Sequence, residues 1–272
     1  MRQGNARFFP CHFYAGGSQL KELGDREKIS KYGEEVFMTK DELIRTLKED
    51  LEVKKEVVAL KAVKEVPADI PQYEGRAVPG MCALLGEILQ GGGVWYVTRK
   101  NVGCFMSLMA TGTCKNLPRD KYLRFMIKQN ETYYMHKDEE TVIEYYNNVD
   151  GFFERPEHTG TGLVVGPLAK VDNPDLVFLI VTPHQTDILN RCRSYFGDFS
   201  RGFGGNGSCI FNIQYSYVTG DPCYSVSDTA WRVFGGLGHD ELTYTFPYSK
   251  LMEIADQIKP MAEYINGFSL EL

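Results

Sequence analysis

Asp175-Leu176-Val177-Phe178-Leu179-Ile180-Val181 is the stretch that decides the fold. Six consecutive apolar residues are short for a helix and too continuous for a strand with one face in water, so the run reads as a strand buried on both faces. Thr182-Pro183 ends it, and Gln185 to Phe196 reads as the helix that follows. A buried strand feeding a helix is the unit of an α/β fold.

Outward from this run the same grammar recurs. Thr39-Lys40-Asp41-Glu42 has capping-box spacing, and Leu43, Ile44, Leu47 and Leu51 then form one apolar stripe among charges. Glu56 to Val63 is rich in β-branched residues and stops at the Pro67 to Pro71 turn region, as a strand would. Met81 to Leu89 sets Leu84, Leu85, Ile88 and Leu89 on one helical face, with Gly91-Gly92-Gly93 as the stop. Val94 to Thr98 reads as a strand, and two helices are expected near Pro118-Arg119-Asp120 and Asp138-Glu139-Glu140. Glu241 to Phe246 alternates as a strand, and a last helix is expected from Ser249 to Ile265, capped by Ser249 and interrupted by Pro260.

Set side by side, the halves show a weak repeat. Val57 to Val63 corresponds to Leu176 to Val181, and the helix from Met81 to the one from Gln185. Cys104-Phe105-Met106 leads to Thr111-Gly112-Thr113-Cys114, while Cys209-Ile210-Phe211 leads to Thr219-Gly220-Asp221-Pro222-Cys223. The expectation is an α/β protein of two similar halves packed as one compact unit: an N-terminal extension and helix (1–55), a first half (56–160) and a second (161–272). A cleft shared by the halves would bring Cys104 and Cys209 into comparable positions.

Composition narrows the partners. The chain has 272 residues, 43% hydrophobic and 24% charged, with 30 basic against 36 acidic side chains and a net charge of -6. No net positive field is available to hold a nucleic acid backbone. The basic start, Met1 to Pro10, is followed by no long apolar run, and no apolar stretch approaches the roughly 20 residues of a membrane span, so a cytoplasmic protein is expected. Seven cysteines, an odd number, then point to reduced thiols or metal ligands in place of a disulfide framework.

The order of these cues resembles the domain-of-unknown-function family numbered 169, which occurs mostly in archaea and anaerobic bacteria. The cues are Val57 to Val63 before Pro67, Cys82, Cys104, Gly166-Pro167-Leu168, Asp175 to Val181 with Thr182-Pro183, Cys209, Thr219-Gly220, and Asp240-Glu241-Leu242 before Phe246-Pro247-Tyr248. The resemblance covers the chain from about Val57 to the last helix and implies a soluble α/β protein with recurrent cysteines and a redox or metal role. The family's cysteine positions look like Cys82, Cys104 and Cys209 here, and its late Ser-x-x-Cys-x-x-x-Arg stretch resembles Ser225 to Arg232. Where that stretch carries its cysteine, this chain has Asp228. Either Asp228 is an oxygen ligand, or nearby Cys223 takes over, or no cluster is bound.

Iron–sulfur clusters and zinc both take thiolates from distant parts of a fold, and no Cys-x-x-Cys is present here to narrow the choice. The bland alternative for each cysteine is a small buried hydrophobe, and it fits Cys192, Cys11 and Cys114 best. Gly204, Gly205 and Asn206, ahead of Cys209, form the second candidate, a loop whose backbone N–H groups would face a ligand; Arg232 beside Trp231 would hold an anion. Histidines 12, 136, 158, 184 and 239 are scattered, and each reads as a surface or capping residue, with His184 favoured slightly because it follows the buried strand. Aromatic residues make up 12% of the chain and leave room for a flavin, haem or corrinoid, with His136 as the axial candidate for haem.

The leading expectation is a redox-linked protein, a candidate oxidoreductase and homodimer. It would hold an iron–sulfur cluster or other metal on Cys82, Cys104 and Cys209, with Cys223 or Asp228 as fourth ligand, and meet a small-molecule ligand or a redox partner protein. The alternative is a non-catalytic module that binds a small organic or anionic ligand through Gly204, Gly205, Asn206 and Arg232, without metal. A structural subunit of a larger anaerobic complex is the third reading.

Overall fold

The strand read as buried on both faces stands in the middle of the sheet. The structure is a computed structural model that describes residues 38–74, 81–102, 105–133, 140, 156–195, 201–203, 208–226 and 236–267. In chain order the elements are α1 (Lys40–Arg45, continued by a π-helical turn, Thr46–Asp50), β1 (Val58–Val63), α2 (Met81–Leu89), β2 (Trp95–Val97), α3 (Met106–Ala110) and α4 (Arg119–Tyr133). Then come β3 (Gly162–Pro167), β4 (Leu176–Val181), α5 (Pro183–Tyr195), β5 (Arg201–Phe203), α6 (Ser208–Thr219), β6 (Cys223–Val226), β7 (Leu242–Pro247) and α7 (Tyr248–Asn266). The seven strands form one sheet in the order β2-β3-β1-β4-β7-β6-β5, antiparallel at every pairing except β5 with β6.

All six residues of β4 are buried, and they divide by alternation. Leu176, Phe178 and Ile180 face a core made with α2, α3, α4 and α6. Val177, Leu179 and Val181 face a second core made with α1, α5 and α7. Helices therefore cover both faces of the sheet, which is why its central strand is a continuous apolar run. The α/β class and the single compact unit match the sequence reading, and no helix among the described residues is long and apolar enough to cross a membrane.

Local signals translate directly. Thr39 and Glu42 exchange side-chain and backbone hydrogen bonds in a complete capping box at the start of α1. Past Leu89 at the end of α2, the Gly91 N–H donates to the Ile88 carbonyl and the Gly92 N–H to the Glu87 carbonyl, the paired bonds of a Schellman stop. Helix α5 begins at Pro183, two residues ahead of the expected start. Thr182 is its cap: Gln185 N–H donates to Thr182 Oγ1 while Thr182 N–H donates to Gln185 Oε1. Two expectations about α7 change. Pro247 occupies its cap position without a side-chain bond, which places Ser249 inside the first turn, and Pro260, on the solvent side, does not interrupt the helix before Asn266. The helix expected near Asp138 lies outside the described residues, apart from residue 140.

Strand β3 was not marked by the sequence reading, and it places the repeat. On one flank the order outward is β1-β3-β2; on the other it is β4-β7-β6. In each, the first strand of the set is innermost, the last lies beside it and the one before lies outside. The repeat in the sheet thus runs through β3, so Gly162–Pro167 stands with the strands of the first half. Helices α3 and α6, the segments that follow Cys104 and include Cys209, pack against each other on one face.

Candidate functional site

Two tight turns meet at the β2 end of the sheet and border an open cavity of about 430 Å³. The first follows β2. Asn101 N–H donates to the Thr98 carbonyl, and Asn101 Oδ1 accepts from Thr98 N–H, Thr98 Oγ1 and Gln72 Nε2, at 2.9, 2.7 and 3.1 Å. A carboxamide that ties down three donors makes the turn rigid, and the turn presents Arg99 and Lys100 at its outer positions. Arg99 lies over the ring of Phe105, 4.5 Å from its centroid.

The second turn is Thr111-Gly112-Thr113-Cys114, the sequence that closes α3. Thr113 N–H donates to the Leu108 carbonyl at 2.8 Å and Gly112 N–H to the Met109 carbonyl at 3.1 Å, with Gly112 at φ +66°. The Gly112 carbonyl in turn accepts from Thr159 and Gly160 N–H, which brings the segment carrying His158 and Thr161 alongside. Tyr96, buried, forms the floor, and it can do so because β3 offers no side chain at Gly162: a Cβ there would lie 2.7 Å from the Tyr96 ring.

The charge inventory of this cavity is one-sided. Arg99, Lys100, Lys115 and His158 line it, and the described lining residues include neither Asp nor Glu. None of these four side chains has a hydrogen bond or ion pair among the described residues. The hydroxyls are already committed as donors: Thr98 Oγ1 to Asn101 Oδ1, Thr113 Oγ1 to the Leu108 carbonyl and Thr161 Oγ1 to the Val63 carbonyl. The charged donors left to meet a ligand are the cationic groups, beside the imidazole, the Tyr96 hydroxyl and the Gln72 amide. Cys114 closes the inner wall; burial pushes its thiol up to about 11, against a smaller opposing pull from Arg99. At neutral pH it is a thiol and a poor nucleophile.

The residues expected to form a site are placed as follows. Cys82 is buried in the apolar cluster under α2. Cys223 opens β6, also buried, and its Sγ donates to Asn212 Oδ1 at 3.2 Å. Cys209 is the second residue of α6, with its side chain outside the described set; Cys104, Gly204, Gly205, Asn206, Asp228 and Arg232 lie outside it altogether. No group of three or more His, Cys, Asp or Glu among the described residues is arranged to hold a metal. Cys192 is a core residue of α5, its thiol pushed up to about 12 by burial. His184 Nε2 pairs with Asn266 Oδ1 at 2.8 Å, joining the start of α5 to the end of α7, and is structural. Sequence reading passed over Arg99, Lys100 and Lys115. Their signal is position: Arg99 and Lys100 follow directly on the strand read at Val94 to Thr98, and Lys115 on the Thr111 to Cys114 cue.

Among known proteins, the family model DUF169, described as an uncharacterised ArCR, matches residues 46–257. No curated protein and no solved structure matches the chain.

Proposed function

The chain belongs to the DUF169 family, and for this member of it we propose a binding function: the cavity between the Thr98 and Gly112 turns holds a small anionic molecule. One observation carries the reading. Three cations that have no hydrogen bond or ion pair among the described residues, Arg99, Lys100 and Lys115, line one cavity in a chain of net charge -6. Their convergence against the overall charge is what an anion site requires. A thiol held protonated at Cys114 supports binding over nucleophilic chemistry at that residue. Cys82, Cys114, Cys192 and Cys223, all buried and none in a disulfide, support a reducing, cytoplasmic setting.

Thermal unfolding in rising inorganic phosphate at constant ionic strength tests the proposal. A ligand that binds only the native state raises its stability by RT ln(1 + [L]/Kd), so the midpoint should climb with phosphate and stay level in Arg99→Ala. No climb in the wild type, or an equal climb in the variant, refutes it.

A second proposal, the iron–sulfur or metal site, is favoured by the packing of α3 on α6, since Cys104 and Cys209 lie two residues before α3 and at its counterpart's second position. It requires protein purified without oxygen to be brown, with broad absorption near roughly 400 nm that Cys104→Ser removes. Colourless, metal-free protein eliminates it.

A further inference from the structure

We infer that the ligand of this cavity is an organic dianion that carries neither an amine nor a bound divalent cation. The inference rests on the binding function proposed above and narrows it to a chemical class. Charge sets the lower bound: a monoanion would leave two of the three cations at Arg99, Lys100 and Lys115 unneutralised, whereas a dicarboxylate or a phosphomonoester engages them together. The Arg99 fork, held over Phe105, matches either head group through two parallel N–H bonds.

The lining residues exclude the charged alternatives. An amino acid or phosphorylated amine would set its ammonium among like charges, with no Asp or Glu among the described lining residues to pair with. A magnesium-bound nucleotide is as a rule held through one or two protein carboxylates, and the described lining residues include none. The committed hydroxyls of Thr98, Thr113 and Thr161 retain only acceptor capacity, which suits a hydroxyl on the ligand's body. Val66, exposed on the rim, and the face of Tyr96 provide an apolar wall for its carbon skeleton. A volume of about 430 Å³ suits a small molecule.

Matched pairs of probes test this by isothermal titration calorimetry on the full chain at low ionic strength. Succinate is paired with aspartate and ethyl phosphate with phosphoethanolamine, so that each pair differs by one amine; acetate is the monoanion. The expected result is that the tighter of the two dianions binds at least tenfold better than both its amine-bearing partner and acetate. Which pair binds tighter then separates a carboxylate source from a phosphate source. A ratio below tenfold in either comparison overturns the dianion class while leaving the binding site standing, provided Lys115→Ala still weakens the probes. If no probe binds, or if Arg99→Ala and Lys115→Ala bind the probes as well as wild type does, both the class and the site fall together.

Discussion

The Arg99 guanidinium carbon sits 4.5 Å from the centroid of the Phe105 ring, over the face of the aromatic and at the edge of the cationic cavity. A long flexible side chain is thereby held near one conformation, so less rotamer entropy is lost when it meets an anion. Arg99→Ala removes charge and fork and should weaken phosphate binding by about tenfold or more. Arg99→Lys keeps the charge and loses the bidentate geometry, and Phe105→Leu keeps the arginine and loses its platform; each should fall between wild type and alanine. Titration calorimetry orders the four proteins. An affinity for Arg99→Lys equal to that of wild type would remove the geometric part of this account.

Gly112 and Gly220 close α3 and α6 with similar backbones, at φ +66° and +75°, yet their surroundings differ. A Cβ at Gly112 would come within 2.5 Å of the Glu157 carbonyl oxygen, while one at Gly220 would meet nothing within 4 Å. Gly220→Ala should therefore cost only the left-handed conformation, about 1 kcal/mol. Gly112→Ala adds a backbone collision and should cost at least about 2 kcal/mol. Urea unfolding of both variants checks the order, and only Gly112→Ala should also loosen anion binding, because its carbonyl holds the His158 segment in place.

Elements whose cause is local were readable before the fold was known. Leu176 to Val181 announces burial on both faces because neighbours on both sides are apolar, and Thr39 with Glu42 announces a helix start because the four residues satisfy each other's backbone. Strand β3 escaped for the opposite reason. Gly162 and Gly166 weaken the strand pattern, and they are there because Tyr96 and Val94 press onto the strand: Cβ atoms would lie 2.7 Å from the Tyr96 ring and 2.8 Å from Val94 Cγ2. The cavity escaped likewise. Arg99 and Lys115 stand on separate turns and read as solvated charges; what joins them is the pairing of β2 with β3 and the hydrogen bonds from Thr159 and Gly160 to Gly112, all long-range. The Thr-Gly-Thr-Cys cue was seen as part of a repeat, and its second role, as the cavity wall, depends on those contacts.

High pH should expose the buried thiols. Burial raises Cys114 from an ordinary value of 9.0 to about 11 and Cys192 to about 12. Above pH 9 the unfolded chain releases these protons first, so the native state is the more protonated one and stability falls as pH rises, by up to about 1.4 kcal/mol per pH unit per thiol. The loss should run from pH 9 toward each folded value and be absent below it. Urea unfolding at pH 8, 9 and 10, compared with Cys192→Ala, isolates one thiol: the variant starts less stable through its lost packing but should decline less steeply. Parallel slopes would show that Cys192 takes no part.

Between α6 and the β6–β7 pair the core is polar, and its hydrogen bonds are unevenly distributed. Thr243 Oγ1 meets Asn212 Nδ2 at 3.0 Å and Ser225 Oγ at 3.1 Å, and Asn212 Oδ1 accepts from Cys223. Two residues along the same strand, Thr245 is equally inaccessible, yet its Oγ1 has no hydrogen-bond partner among the described residues. A buried hydroxyl without a partner costs about 1–3 kcal/mol, and an isosteric methyl removes that cost. Thr245→Val should therefore stabilise the protein by about 1 kcal/mol. Thr243→Val is the same chemical change next door and should do the reverse, destabilising by about 1–3 kcal/mol because Asn212 and Ser225 lose a buried partner. The two midpoints, measured by thermal or urea unfolding, should move in opposite directions. Destabilisation by both would mean that the Thr245 hydroxyl is satisfied in solution by a buried water, and that this polar layer is complete on both strands.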